Sequence, residues 1–261
     1  MNEVNKTLYI PLYGKSKVSR QGIILNDSCA EEIWKKEAFP IHGKSRSKWL
    51  AYNMAMRARV FDDWTENMLQ QNQNALVLHI GCGLDSRYMR IKSACSEWID
   101  CDLPDVIEIR KKHFQENEKY HMKALDASRP EQIGSLPDCD AAIVVLEGLS
   151  MYLTNSQVHG LLQALDKKYQ NLHILMDAYT EFGVKASNYK NPVKDVGVTR
   201  LYGINDIRSI IYGLRIRLVK EHSFTPEALV HELAPLERMF FKMLFTGKLY
   251  RKIYRLYELE A

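Results

Sequence analysis

Residues 76–87 read Leu-Val-Leu-His-Ile-Gly-Cys-Gly-Leu-Asp-Ser-Arg, an apolar run that ends in a Gly-Cys-Gly turn. The apolar part predicts a buried strand, and the turn predicts the start of a helix. Because Gly81 and Gly83 lack a Cβ atom, the chain can turn sharply there and its backbone can approach a ligand closely. The stretch therefore predicts a nucleotide-type binding site at the end of a parallel strand.

A second apolar segment at 98–102 ends in Asp102, 19 residues after Gly83. An acidic side chain there can accept two hydrogen bonds from a ribose diol, which NAD and S-adenosylmethionine both carry. A dinucleotide fingerprint has a third glycine three residues after Gly83, where the helix packs beside a pyrophosphate, but Ser86 stands here. The pattern therefore favours S-adenosylmethionine, with an NAD-dependent oxidoreductase as the alternative.

From residue 75 onward, apolar strands alternate with helical segments. This order predicts an α/β fold with a mostly parallel, seven-stranded, Rossmann-like sheet whose last strand is antiparallel. We expect residues 1–74 to form a helical cap, residues 75–261 the core, and residues 178–205 a lid inserted in the core. Strands are predicted at 76–80, 97–101, 121–125, 141–146, 172–177, 215–222 and 249–258, and helices at 86–94, 104–117, 129–134, 155–169, 205–212 and 226–245.

Four successive predicted strands end in carboxylates, namely Asp102, Asp126, Glu147 and Asp177. The carboxyl ends of parallel strands meet at one edge of a sheet, so we expect these side chains on a common rim. A rim of acceptors suits S-adenosylmethionine, which carries a sulfonium, an ammonium, an adenine amine and a ribose diol. The carboxylate of that ligand needs a basic partner, and Arg57 and Arg59 in the preceding helical segment are the candidates.

The 261 residues are 46% hydrophobic and 26% charged, with a formal net charge of +4. This composition is ordinary for a globular chain and lacks the dense basic stripe of a nucleic-acid-binding protein. Basic residues at 248–255 alternate with apolar ones, which predicts a strand with one solvated face. The five cysteines show no metal-ligand spacing, and no apolar run could span a bilayer. We therefore expect no metal, no nucleic-acid partner, no membrane association and a reducing, cytoplasmic location.

The chain resembles the leucine carboxyl methyltransferase family, in particular its bacterial branch of polyketide O-methyltransferase-like proteins. The resemblance covers most of residues 8–165 and implies a class I S-adenosylmethionine methyltransferase fold with S-adenosylmethionine as cofactor. The region after Asp177 matches only loosely. The matching segments are 11–15 (PLYGK), 26–27 (ND), 56–62 (MRARVFD), 80–87 (IGCGLDSR), 102–107 (DLPDVI), Asp126 and 147–153 (EGLSMYL).

Residue roles follow from the same resemblance. Arg59 matches the arginine that holds the methionine carboxylate, and Lys15 matches a basic residue of the cap, with Lys17 as the alternative. Glu147 matches an acid near the amino-acid end of the cofactor. The other implied cofactor contacts fall into three groups. They are the glycine turn (Gly81, Cys82 and Gly83), the ribose-binding acid with its neighbour (Asp102 and Leu103), and the residues expected to hold adenine (Asp126 and Ala127).

The implied reaction is methyl transfer to an oxygen of a small-molecule acceptor. A carboxylate acceptor is ionised at neutral pH, whereas a phenol, with a pKa of about 10, would gain from a general base. Tyr152 is the candidate catalytic residue facing the acceptor, with a packed aromatic at a helix start as the alternative. We expect a polyketide-like carboxylate or phenol or another carboxylic acid, and a protein C-terminus stays open. A catalytically silent binding protein is the second alternative, and the oligomeric state is left open.

Overall fold

The computed structural model describes residues 7–190 and 200–261. The strands of this part of the chain form one sheet, and their order across it is β3-β2-β1-β4-β5-β7-β6. β7 lies between β5 and β6 and runs antiparallel to both, while β1 to β5 are parallel. The predicted sheet is therefore confirmed. The strands are β1 (Leu76–Ile80), β2 (Glu97–Asp102), β3 (Tyr120–Ala124), β4 (Ala141–Leu146), β5 (Asn171–Tyr179), β6 (Arg217–His222) and β7 (Tyr254–Glu260).

Side chains of β1 alternate between two hydrophobic clusters, with Val77 in one and Leu76 and Leu78 in the other. The central strands are thus buried on both faces, as expected when helices cover a parallel sheet. None of the helices in the described ranges is long and apolar enough to cross a membrane. They are α1 (Tyr9–Arg20), α2 (Ser28–Glu37), α3 (Lys48–Gln71), α4 (Arg87–Arg90), α5 (Pro104–Arg110), α6 (Asn155–Lys168), α7 (Glu181–Lys190), α8 (Ile207–Ile210), α9 (Glu227–His231), α10 (Pro235–Phe245) and α11 (Gly247–Arg251).

The N-terminal helices pack together before the sheet begins. α1 contacts both α2 and α3, and α2 starts at the N-cap Asp27, whose side chain accepts a hydrogen bond from the amide of Ala30 at 2.9 Å. Met56 and Phe61 of α3 are fully buried in the cluster that also holds Val77 of β1. The helical segment is thereby packed against one face of the sheet, with α3 leading directly into β1.

The C-terminal segment differs from its prediction. The residues at 249–258 were expected to form one strand, but α11 occupies Gly247–Arg251 and β7 begins only at Tyr254. Alternation of basic and apolar residues over a few positions does not distinguish a short helix from a strand. The helix predicted at 226–245 is divided, because Pro235 cannot continue a helix and instead starts α10.

Other predicted helices are shorter than expected. Those at 86–94, 104–117 and 205–212 shrink to α4, α5 and α8, and the one at 129–134 is a 3-10 helix at Pro130–Ser135. Two further 3-10 helices cover Gly43–Arg46 and Ser150–Tyr152. Apolar periodicity locates helices better than it locates their ends.

The predicted lid begins as an extension of β5 through Tyr179 and continues as α7. The chain is described again from residue 200, where the amide of Tyr202 donates to the carbonyl of Met151 at 2.9 Å. The amide of Ile204 also donates to the carbonyl of Tyr179, at 2.7 Å. Residues 191–199 of the predicted lid lie outside the described residues, so its closure over a site stays a prediction.

Candidate active site

The turn after β1 has the conformation that its glycines were expected to permit. Gly81 has a φ of 77° and Gly83 a φ of 53°, in the left-handed region that glycine favours. A Cβ atom at Gly81 would lie 3.1 Å from Cδ1 of Leu149, so the missing side chain lets the next loop approach. The amides of Gly81 and Cys82 donate to the carbonyl of Cys101 at 2.8 and 3.2 Å, which holds the turn against the end of β2.

Asp102 is fixed by the same turn. Its Oδ2 accepts a hydrogen bond from the amide of Gly83 at 2.7 Å, and its Oδ1 accepts one from the amide of Leu103 at 2.8 Å. Burial raises the pKa of Asp102, and the two backbone hydrogen bonds oppose that rise. These hydrogen bonds fix the orientation of the Asp102 side chain. Because each carboxylate oxygen has more than one acceptor site, it can still accept a hydrogen bond from a ligand hydroxyl.

A cavity of about 440 Å³ lies where the turns after β1, β2, β3 and β4 meet the inner face of α1. Its size is within the range of about 300–1,000 Å³ that small-molecule sites occupy. The structure brings all the predicted site residues except Arg59 and Asp177 to its wall. The predicted residues that line it are Lys15, Gly81, Cys82, Gly83, Asp102, Leu103, Asp126, Ala127, Glu147 and Tyr152.

Arg59 is the site prediction that the structure corrects. Its side chain is 42% exposed and donates to Asp63 at 2.7 Å and to the carbonyl of Ile24 at 3.2 Å. Arg57, two positions earlier on α3, is buried and lines the cavity. Residues two apart on an α-helix point to opposite sides, so only one of the two arginines could face the sheet. Arg57, and not Arg59, therefore lies at the cavity wall.

Arg57 joins three elements around the cavity. Its Nε donates to Oε1 of Glu147 at 2.9 Å, and its Nη1 donates to Oδ2 of Asp177 at 3.1 Å and to the hydroxyl of Tyr254 at 2.9 Å. Tyr254 in turn donates to Asp177 at 2.7 Å. The fourth, fifth and seventh strands are thereby linked to α3 through one guanidinium group.

Glu147 accepts from a second arginine as well. Nη2 of Arg87 donates to its Oε2 at 2.5 Å. Burial alone would raise the pKa of Glu147, but Arg57 and Arg87 outweigh that effect and lower its pKa to about 2. Glu147 is therefore ionised at neutral pH, and both of its oxygens are engaged by arginines.

These pairs belong to a larger buried network. Arg87 also donates to Asp62 at 2.7 Å, and Lys15 donates to Asp85 at 2.5 Å. None of the side chains concerned is more than 9% exposed. The network contains four cations and five carboxylates: Lys15, Arg57, Arg87 and Arg90, with Asp27, Asp62, Asp85, Glu147 and Asp177.

Lys15 rather than Lys17 lines the cavity. Lys15 is buried on the inner face of α1, whereas Lys17 lies on the outer face with its Nζ 5.7 Å from the ring centre of Tyr13. The choice that the sequence left open between the two lysines is therefore made by which face of α1 packs on the core.

The wall after β3 is formed by Asp126 and Ala127. The Asp126 carboxylate accepts from the amide and the hydroxyl of Ser128 at 2.9 and 2.7 Å. Its own amide donates to the side-chain oxygen of Gln132 at 2.8 Å. Ala127 is buried and adds an apolar surface beside these polar groups, so this wall offers both a flat contact and hydrogen-bonding atoms.

Another part of the cavity wall is aromatic. Tyr152, Tyr179 and Tyr254 line it together with Met54 and Met151. Tyr179 and Tyr254 are stacked with their ring centres 4.5 Å apart. Burial raises the pKa of Tyr152, and it raises the pKa of Tyr179 to about 12, so these phenols are protonated at neutral pH.

Sequence reasoning missed Arg87, His79 and Tyr254 as parts of the site. Arg87 belongs to the quoted glycine-turn string and could have been found as a charged residue after a buried strand. His79 is buried with Nε2 3.2 Å from Nη1 of Arg87. Tyr254 lies 197 residues after Arg57, and no local pattern signals such a contact.

The residues present fit S-adenosylmethionine. The carboxylates Asp85, Asp102, Asp126 and Glu147 line the cavity, and they suit a ligand with sulfonium and ammonium charges, because a buried charge is stable only when it is compensated. Asp102 offers acceptors for a ribose diol, and the glycine turn leaves backbone exposed to the cavity. Among the described residues, no group of three or more metal-ligating side chains could hold a metal ion.

Comparison with solved structures identifies the fold. The fold matches an S-adenosylmethionine-dependent methyltransferase from Anabaena variabilis with a TM-score of 0.54 at 14% identity, covering 90% of this chain and 93% of the other. It also matches magnesium protoporphyrin IX methyltransferase from Synechocystis with bound S-adenosylhomocysteine, with a TM-score of 0.52 at 10% identity, covering 90% and 94%. The architecture is that of the methyltransferases.

The family follows from the sequence. Residues 13–166 match the family model of leucine carboxyl methyltransferase, so the chain belongs to this family. It is 29% identical to the tetracenomycin polyketide synthesis O-methyltransferase TcmP of Streptomyces glaucescens, over 90% of this chain and 88% of that protein. It is 27% identical to the methyltransferase dpfgK of Gibberella zeae, over 81% and 80%. The predictions of family and of S-adenosylmethionine as cofactor are confirmed, and the NAD alternative is wrong.

Proposed function

We propose that this protein transfers a methyl group to an oxygen atom of a small, largely aromatic molecule, and that the acceptor oxygen belongs to a carboxylate. The observation that carries the proposal is the state of the ionisable groups around the cavity: the acids are already engaged and the phenols are protonated. The TcmP relative, named for tetracenomycin polyketide synthesis, supports an oxygen acceptor on a polyketide-like skeleton.

The cofactor would lie along the charged part of the cavity. Asp102 would accept from the ribose hydroxyls, and Asp126 and Ala127 would hold the adenine. Arg57 and Lys15 would face the methionine carboxylate, and Glu147 would balance the positive charges at that end. When bound, S-adenosylmethionine supplies the methyl group as a sulfonium substituent.

The acceptor would lie against Tyr152, Tyr179 and Met151. Aromatic rings and thioethers form broad apolar surfaces on which a flat ring stacks well. Methyl transfer needs donor and acceptor in line, and positioning of this kind contributes about 7–11 kcal/mol to rate acceleration. These side chains would supply that positioning by shape and would restrict water near the reacting atoms.

A carboxylate is favoured over a phenol because each candidate base that lines the cavity, among the described residues, already has partners. Asp102 accepts from two backbone amides, and His79 is buried between Arg87 and Asp100. Glu147 is held by two arginines, Asp85 is held by Lys15 and Arg90, and Asp126 is held by Ser128. Tyr152 is protonated, as are the other two phenols of the wall. A carboxylate acceptor needs no proton removed at neutral pH, so such a site suffices for it.

The test is a competition between matched acceptors. 2-Naphthoate and 2-naphthol, which share one ring system, would be incubated with the protein and trideuteromethyl-labelled S-adenosylmethionine, and the products would be identified by mass spectrometry. We expect the methyl ester of the acid as the main product. Exclusive formation of the ether from the phenol would overturn the carboxylate assignment, and cofactor binding without any product from a broad acid and phenol panel would favour a silent binding protein.

A further inference from the structure

A second pocket lies on the outer surface of the cap, away from the cavity described above. Its volume is about 540 Å³. It is formed between α1, α2 and the segment that precedes α3, and we call it the cap pocket. The lining residues used below are Tyr13, Lys17, Arg20, Trp34, Phe39 and Arg46.

The cap pocket is separate from the cofactor cavity because the two use opposite faces of α1. Tyr13, Lys17 and Arg20 follow one another at intervals of four and three residues, so they share one helix face. Leu12 and Lys15 line the cofactor cavity from the other face. A ligand in the cap pocket would therefore not compete for the cofactor's space.

The charged side chains of the lining are cationic. Lys17, Arg20 and Arg46 contribute to the wall, and no carboxylate is found among the described residues that line it. Arg20 is positioned by its own helix, because its Nε donates to the carbonyl of Ser16 at 3.2 Å and its Nη2 to the Ser16 hydroxyl at 2.9 Å. The pocket is thus an electropositive concavity, which concentrates anions.

One carboxylate lies near enough for Lys17 to act on it. Hydrogen bonding from Lys48 is the largest cause that lowers the pKa of Glu237, and the charge of Lys17 adds a smaller lowering. Glu237 accepts from Lys48 at 2.7 Å and from the hydroxyl of Tyr52 at 2.8 Å. Both of its oxygens have partners of their own, so it does not neutralise the cap pocket.

Three aromatic rings line the pocket beside these cations, and Pro40, Ile41 and His42 complete its lining within the described part of the chain. Tyr13 and Trp34 meet edge to face with ring centres 5.1 Å apart, and Phe39 stacks on Tyr9 at 4.1 Å. These contacts hold the rings in place at the pocket wall. Flat apolar walls beside guanidinium and ammonium groups match a ligand that is itself flat, apolar and negatively charged.

We propose that the cap pocket binds an aromatic anion, with its ring against Tyr13, Trp34 and Phe39 and its charge toward Lys17 and Arg46. The proposal does not depend on the methyl acceptor, because it rests on a different surface of α1. An occupant there would contact α1 and α2, and α1 also forms one wall of the cofactor cavity.

The experiment is a calorimetric titration of the full chain with naphthalene-2-sulfonate, in the presence of saturating S-adenosylhomocysteine. Naphthalene-2-sulfonamide is the neutral matched probe. We expect the sulfonate to bind, and to bind at least tenfold more weakly to the double variant Lys17→Ala, Arg46→Ala. The charge-matched control variant Lys111→Ala, Arg208→Ala, which removes two exposed cations elsewhere, should bind like the unaltered protein.

The binding site of the sulfonate is located independently by ¹⁹F NMR of protein labelled with 5-fluorotryptophan. The Trp34 resonance is assigned as the one that is missing from the spectrum of the Trp34→Phe variant. We expect naphthalene-2-sulfonate to shift that resonance, and Arg46→Glu alone to abolish the shift even if the double variant unfolds. The proposal fails if the sulfonate does not bind, if the sulfonamide binds equally well, or if the cation variants bind as tightly as the control.

Discussion

In the polar part of the cavity wall, Asp102 and Glu147 are each held by two hydrogen bonds from fixed donors, whereas in the apolar part Tyr152 and Met151 present broad surfaces. Hydrogen bonds at fixed positions suit one ligand with a fixed pattern of donors. Apolar walls select by shape and tolerate related molecules. The difference teaches that, under the proposed function, the cofactor would be selected by individual hydrogen bonds and the acceptor by the shape of an apolar wall.

The largest expected effect follows from removing the Arg57 side chain from the buried charge network. Arg57→Ala would leave Glu147 and Asp177 buried without their shared cation, so we expect a loss of about 3–5 kcal/mol in the free energy of unfolding. Chemical denaturation measures it. The matched control is Arg59→Ala on the same helix, where an exposed pair with Asp63 contributes only about 0.3–0.5 kcal/mol. Equal losses for both variants would contradict the inward position of Arg57.

Acid should lower the free energy of unfolding in a defined pH range, because Glu147 becomes protonated there. The folded-state pKa of Glu147 is about 2, against its ordinary 4.5. A depressed carboxyl pKa contributes stability above pH 4.5 and loses it as the pH falls toward 2, and the contribution is about 3 kcal/mol. Denaturation midpoints between pH 7 and pH 2 should therefore fall less steeply for Glu147→Gln than for the unaltered protein. Parallel curves would show that Glu147 is not the titrating group.

Cofactor affinity should be sensitive to Asp102 and insensitive to its exposed neighbours. Asp102→Ala removes the proposed ribose acceptor and frees the amides of Gly83 and Leu103, so we expect about 2 kcal/mol weaker binding, or about thirtyfold in Kd. Isothermal titration with S-adenosylhomocysteine measures this loss. Glu108→Ala, an exposed acid on the following helix, is the control. An unchanged Kd for Asp102→Ala would remove the ribose assignment.

The smallest effect is expected on the aromatic side. Tyr152→Phe keeps the ring and removes only the hydroxyl, so kcat for an aromatic carboxylate should change by less than about threefold, because no base is required. Tyr152→Ala removes the surface and should raise KM for the acceptor more than it lowers kcat. Steady-state kinetics with both variants separates the two roles. A large kcat loss in Tyr152→Phe would make the hydroxyl itself catalytic.

The first half of the fold was predictable because its signals are local. Two glycines after an apolar run, followed by an acid at the end of the next strand, are constrained by the ligand and the turn rather than by distant contacts. The glycine turn, Asp102 and the wall after β3 accordingly line the cavity as expected. The C-terminal segment carries no such constraint, and there a short helix was mistaken for a strand.

The sequence by itself determined the order of strands and helices from β1 to β5, the glycine turn and the acids at the strand ends, since each depends on residues close together in the chain. Only the tertiary structure decided that Arg57 rather than Arg59, and Lys15 rather than Lys17, faces the cavity. It alone brought Tyr254 to Arg57 across 197 residues of chain. A helix offers every side to its surroundings, and which side becomes buried depends on the sheet that it packs against.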